Sequence, residues 1–408
     1  MGADERALTE EGRMIFRALG VLGVVCGVAT ASVAADIETD MTEPMREMGC
    51  TVRLTGEIAE GDLDRLRSVL QQNFGEGILP DHPDFREIVF RNLSPAVDYG
   101  DFFFTHRLCL NSPGGSVAEA KKIVQYMRAD ARAALGGVPT AVARGDRCEG
   151  ACALVFLAGR FLRFENTPAY ENRPNALLHP EGVLGLQAPL PVRPEGSVDD
   201  SQLAAWVQGA ADSVAWLTQA VAEKTLFLTS DGVAQMIGAV APGMARVETV
   251  GDAVRWGIEV EPTQLSFGGY DPDRETFLNA VCRNAALGLG DAADLEAGPE
   301  SMTFEAAGED HVGTTGGFVD ALSGREYSCL VETFSWQDFS SLMDMRAGEG
   351  NPHTRGLELT RLRYAGTAPR VIFRAVDPCQ DCDLMAELPD IAAYPPDTPL
   401  AVLSPPVN

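Results

Sequence analysis

Apolar and polar positions alternate from Thr51 to Ile58, the period of a half-buried strand, with Gly56-Glu57 near its end. Asp62 then caps a helical segment whose apolar face is Leu63, Leu66, Leu70 and Phe74. The stretch Gly75 to Gly100, with three prolines, reads as a surface insertion. A strand follows over His106 to Asn111 and runs into Ser112-Pro113-Gly114-Gly115. The next helix shows Val117, Ala120, Val124, Met127 and Ala131 on one face and stops at Gly136-Gly137, with Pro139 beyond. A short strand after Pro139 gives way near Cys148 to Ala151 to a small-residue helix ending at Gly159. Strand, helix, strand, helix in this order calls for parallel crossovers and an α/β layered domain.

Further along, Phe161 to Phe164 reads as a strand, followed by a polar loop with two prolines and a strand carrying His179. Pro191 to Asp200 is a polar connection. Ser201 to Phe227 is the longest helical pattern, with Leu203, Trp206, Ala210, Val214, Leu217 and Val221 at helical spacing, which fits core or an oligomer contact. Helical pieces over Val233 to Ile237 and Asp252 to Trp256 close the domain. From about Thr263 glycine and acidic residues become frequent; one helix, Arg274 to Leu287, and strands at Tyr327 to Phe334 and Arg370 to Val376 suggest a smaller α+β domain. The expected division is 36–262, 263–388 and a loosely held Pro-rich tail, 389–408.

Composition adds limits. With 408 residues, 45% hydrophobic and 22% charged, the chain has ample material for packed cores. A net charge of −27, with lysine only at Lys121, Lys122 and Lys224, argues against nucleic acid or an anionic membrane surface as partner. Five histidines, His82, His106, His179, His311 and His353, show no metal-ligand spacing, so no metal is expected, and no motif calls for a cofactor.

The N-terminal 35 residues read as an export signal. Arg13 and Arg17 precede an apolar run, Ala18 to Val28, too short and glycine-rich for a membrane span. The acidic segment before Met14 does not suit a signal n-region, which points to Met14 as an alternative start. Small residues follow, Ser32-Val33-Ala34-Ala35, so cleavage is expected after Ala34 or Ala35, leaving a soluble periplasmic or secreted protein without a stable span. Val25 before Cys26 argues against a lipoprotein anchor. Removing Cys26 leaves eight of the nine cysteines, an even number in an oxidising compartment. Cys379 with Cys382 and Cys282 with Cys329 are natural pairs, and a Cys148–Cys152 bridge would pin the second corner; Cys50 and Cys109 remain open as partners of either. The carboxylates of Asp377, Asp381 and Asp383 disfavour redox activity at Cys379 and Cys382.

Two strand-to-helix corners, at Gly114-Gly115 and Gly150-Ala151, place unpaired N–H groups as an oxyanion hole would. These stretches resemble the ClpP/crotonase superfamily, and within it the Clp-protease-type serine peptidases and their exported relatives. The resemblance covers roughly Cys50 to Glu261 and implies a ClpP/crotonase-like layered parallel sheet. Gly114 and Gly115 match the family's Asn-Ser-Pro-Gly-Gly turn, and Ala176-Leu177-Leu178-His179-Pro180 matches its histidine strand. Asp252 to Ile258 resembles the helix that follows the family's triad aspartate. Counting back from Gly159, the nucleophile position is Gly150, and the aspartate position is Ala245.

No serine or threonine lies between Gly145 and Phe164, so no local shift restores a hydroxyl. Without a nucleophile, such a site keeps only binding and the hole. The expectation is therefore a pseudoenzyme that binds peptide or protein in a cleft of Gly114, Gly115, Gly150, Ala151 and a remnant His179. An active hydrolase using a displaced nucleophile, most plausibly Cys148, is the alternative; Cys152 falls about 200° around the helix from residue 150. Ser112 and Ser116 fit turn and helix-cap roles. Glu149 raises an acyl-thioester enzyme as a third reading, which an exported protein would not supply with coenzyme A. Assembly into homo-oligomers is suggested only by analogy to the fold.

Overall fold

The computed structural model describes residues 34–73, 107–135, 138–164, 170–191, 199–239, 243–261, 263, 274–288, 312–319, 326–332, 370–375 and 384–404. The expected signal segment up to residue 33, the insertion at 75–100, and Cys379 and Cys382 lie outside them.

A six-stranded sheet organises the first part of the chain. Its strands are β1 (Asp36–Glu38), β2 (Cys50–Thr55), β3 (Arg107–Asn111), β4 (Thr140–Val142), β8 (Ala176–Leu178) and β11 (Glu259–Val260), in that spatial order. Only β1 pairs antiparallel; every other neighbour is parallel. Parallel neighbours require crossovers, and helices α2 (Asp62–Asn73) and α3 (Val117–Leu135) supply the first two. A second ribbon stands beside the sheet's C-terminal edge: β5 (Arg147–Glu149) parallel to β9 (Val183–Leu186), with β10 (Ala245–Arg246) antiparallel to β9.

Helix α4 (Ala151–Leu157) reads Ala-Cys-Ala-Leu-Val-Phe-Leu, and all seven side chains are buried. A helix apolar on every side has to sit inside the fold. It packs on α3, β4, β5 and β9, so its N-terminus is fixed against the ends of the strands.

Several expectations shift in detail. The polar loop after β6 (Arg160–Phe164) includes a partner strand, β7 (Tyr170–Pro174), which closes an antiparallel hairpin. The long helix α5 (Asp200–Ala222) begins on a capping box at Asp199 and buries only Ser213, Leu217 and Ala220. Its first half lies outside the core, with Leu203 51% and Val207 53% exposed. Helices α6 (Ser230–Gly238) and α7 (Val250–Trp256) follow.

Beyond them, α8 (Arg274–Gly288) packs on α7, and strands β12 (Val312–Val319), β13 (Glu326–Glu332), β14 (Arg370–Ala375) and β15 (Leu384–Glu387) form an antiparallel meander.

Residues 389–404 are not a loose tail. Ile391, Tyr394, Leu400 and Leu403 are buried. Val250 and Gly251, at the start of α7, donate their N–H groups to the carbonyls of Thr398 and Pro396, at 3.0 and 2.7 Å. Asn284 Nδ2 donates to Ala392 and Tyr394 carbonyls at 2.9 and 2.7 Å. The segment is a strap whose backbone caps a helix. Proline and polar residues hid it because its four anchoring side chains follow no helical or strand period.

Candidate functional site

The first corner is made by β3 running past Asn111 into Ser112, Pro113, Gly114 and Gly115. Ser112 forms a parallel bridge to Cys148: its N–H donates to the Arg147 carbonyl at 2.7 Å, and its carbonyl accepts from Glu149 N at 3.1 Å. That bridge ties the two corners together. On the other side, Ile58 N donates to Gly114 O at 2.8 Å and Ser116 N donates to Ile58 O at 2.7 Å. In such a parallel bridge residue 115 turns its own N–H away from Ile58. A side chain at 115 would place its Cβ 2.3 Å from the Ile58 carbonyl, so only glycine allows this approach.

The second corner is Gly150, between β5 and α4, with φ 55° and ψ −117°. This is a sharp strand-to-helix elbow in a region that side chains enter only under strain. Gly150 N donates to Gly185 O at 3.0 Å, which pins the elbow to β9. A Cβ built on Gly114 would stand 3.0 Å from Glu149 O and 3.5 Å from Ala151 N. The two glycine corners are therefore in contact.

Ser112 Oγ lies 3.1 Å from both Gly114 N and Gly114 O, and the Gly114 N–H donates to it. The Gly114 amide is thus occupied, a correction to the expectation that both turn glycines offer free donors. The Ala151 N–H, first in its helix, and the Gly115 N–H make no hydrogen bond among the described residues. These two are the donors left at the junction. Ser116 Oγ accepts from Glu119 N at 3.2 Å and caps α3.

His179 follows β8, its N–H donating to Val142 O at 2.9 Å. The ring is fully buried. The Glu181 N–H donates to Nδ1 at 3.0 Å, so the neutral ring carries its proton on Nε2, and Nε2 has no partner among the described residues. Burial pushes the imidazole down to about 4, the Arg144 guanidinium adds to the shift, and the Glu181 carboxylate opposes it. Apart from its chain neighbours, no heavy atom of the described residues lies within 4 Å of the place a Cβ at residue 150 would take. The structure joins Gly114, Gly115, Gly150 and Ala151, and no atom of the His179 ring lies within 4 Å of that Cβ position.

Ala245 pairs with Leu186 in the ribbon and offers no carboxylate. Its neighbour Arg246 donates from Nη2 to Glu149 Oε1 at 3.1 Å. Glu149, nearly buried at the elbow, is thus held in an ion pair. Nothing in the spacing of the sequence singles out Arg246, because the partners lie on strands joined only through β9.

Two disulfides frame the region. Cys148 and Cys152 are bonded across the elbow, with Cα atoms 5.1 Å apart, and both are fully buried. This removes Cys148 as a free nucleophile, contrary to the displaced-nucleophile alternative. Cys50 and Cys109 bond β2 to β3, with Cα atoms 5.7 Å apart. Cys282 is disulfide-bonded, and its helix packs on β13, the strand that carries Cys329, whose side chain lies outside the described residues. Among the described residues no group of His, Cys, Asp and Glu is placed to hold a metal.

No family profile and no curated protein matches the sequence. Among solved structures, a point mutant of ClpP1 from Listeria monocytogenes aligns at 12% identity and TM-score 0.24, covering 42% of this chain and 70% of its own.

Proposed function

We propose that this chain is an exported ClpP-like protein that has given up peptidase chemistry and holds a peptide, or an extended segment of a protein, at the junction of its two glycine corners. The observation that carries the reading is the elbow at Gly150: a sharp strand-to-helix turn that glycine makes without strain, open in front, with the Ala151 and Gly115 amides unpaired beside it among the described residues. Such donors suit the carbonyl oxygens of an extended backbone. Attack on a carbonyl needs a side chain that glycine lacks, and the neighbouring thiols are joined to each other. His179 presents a protonated Nε2 and is hard to charge, the reverse of what a general base requires.

Export is supported by the cysteines, since two pairs among the described residues are bonded and disulfides persist in oxidising compartments. No helix among the described residues is long and apolar enough to cross a membrane.

The test is fluorescence anisotropy of a fluorescein-labelled peptide from unfolded casein, with the peptide's mass read afterwards. Saturable binding, an intact peptide, and affinity at least about tenfold weaker in Gly150→Leu, roughly one lost backbone contact or more, are expected. Absence of binding, or a shortened peptide, overturns the reading.

A further inference from the structure

Ala35 is fully buried in the main core, although it stands at the very start of the described chain. Its N–H donates to Asp62 Oδ2 at 3.3 Å. Asp62 is itself fully buried. Its Oδ2 also accepts from Ala59 N at 2.8 Å, and its Oδ1 is paired with the Arg65 guanidinium, whose side chain is 45% exposed. One oxygen of a buried carboxylate therefore faces a charge, and the other faces only neutral amides. A buried carboxylate is held best by an opposite charge.

Upstream of Ala35 the sequence is Ser32-Val33-Ala34, small residues in the third and first positions before the Ala34–Ala35 bond. That is the pattern read by an endopeptidase removing export signals.

We propose that the chain is cut between Ala34 and Ala35 and that the new α-ammonium of Ala35 forms a buried ion pair with Asp62. The inference rests on the export reading. In the step, water adds across the Ala34–Ala35 amide: the carboxylate leaves with Ala34, and the amine, protonated at neutral pH, stays on Ala35. The nitrogen already at Asp62 Oδ2 then changes from a neutral donor to a cation without moving. The alternative cut after Ala35 would remove a fully buried residue and strip Oδ2 of one of its two amide donors, so the fold discriminates between adjacent bonds that sequence leaves equivalent. Maturation and folding are thereby linked: the finished N-terminus is part of the core.

The experiment has two arms. The full chain is expressed with export into a bacterial periplasm, and its N-terminal residue is read by mass spectrometry. A chain beginning at Ala35 is expected; a cut at any other bond overturns this inference alone, while an uncut cytoplasmic chain overturns the export reading with it. Separately, urea unfolding compares the chain starting at Ala35 with the same chain carrying one extra glycine in front. The free amine should give an unfolding constant about tenfold smaller, the margin between charged and neutral hydrogen bonds. The difference should vanish in Asp62→Asn. Equal stability of the two chains, or a difference that persists in Asp62→Asn, overturns the ion pair; if Asp62→Asn does not fold, the glycine comparison decides alone.

Discussion

The Glu181 backbone N–H points at Nδ1 of His179, 3.0 Å away, and thereby sends the imidazole proton to Nε2. A general base beside a serine needs a free lone pair on the nitrogen facing the hydroxyl. Here Nδ1 is spent on the backbone, and burial keeps the ring neutral. Nitrogen-15 NMR should show the Nε2–H form throughout neutral pH and a midpoint near 4. A midpoint near the ordinary value of about 6.5, or the opposite tautomer, would contradict this.

The same burial ties stability to pH. A histidine whose folded value lies below its unfolded one binds protons more readily when unfolded. Its contribution is therefore complete above pH 6.5 and is lost as pH falls toward 4, by about 3 kcal/mol in full. Asp146 acts in the opposite sense: burial raises it to about 6, against the pull of Arg53, so it favours the fold at low pH and loses that contribution as pH rises through 6. His179→Gln removes only the first effect. The drop in urea midpoint between pH 7 and pH 4.5 should be smaller in that variant than in the natural chain, and an equal drop would count against the assignment.

Bonding of Cys148 to Cys152 makes a further check simple. Iodoacetamide should label neither thiol in the non-reduced, urea-unfolded protein. Replacing both by alanine should cost about 2 kcal/mol, the entropy of a loop that short. Labelling of Cys148 without reductant would reopen the cysteine-hydrolase alternative.

The strap over α7 gives a fourth expectation. Leu400 and Leu403 are each 2% exposed. Leu400→Ala or Leu403→Ala should lower stability by about 2–5 kcal/mol in urea unfolding. A change of only a few tenths would mean that the segment is held no more firmly than a surface tail.

Much of the layered sheet could be read in the chain because its signals are local. The alternation before Thr55, the helical face from Val117 and the uninterrupted apolar run of α4 each carry their own period. The corners were legible for the same reason, since Ser-Pro-Gly-Gly and Glu-Gly-Ala are turn chemistry. What stayed hidden depends on partners far along the chain. Glu149 is neutralised by Arg246, and α7 is capped by residues 396–398. Helix α5 shows the reverse: its apolar spacing suits core or an oligomer contact alike, and within one chain Leu203 and Val207 are exposed, so its first half is not core. Periodicity shows which face is apolar, not whether anything covers it.

Gly150→Ser asks whether a hydroxyl alone is enough. The space ahead of residue 150 is open, but its sparsely populated backbone conformation should cost about 1–3 kcal/mol. With Nε2 protonated and no carboxylate at Ala245, the variant should fold without gaining casein-peptide hydrolysis. Turnover in that variant would show that His179 can still serve as a base.

The most direct test of the two-corner junction is an amide nitrogen-15 spectrum of the protein, followed as the casein peptide is added. The signals of Gly115 and Ala151 should move together and saturate, with the peptide recovered at its original mass. Shifts confined to other parts of the chain, or recovery of a cleaved peptide, would contradict a junction that binds without cutting.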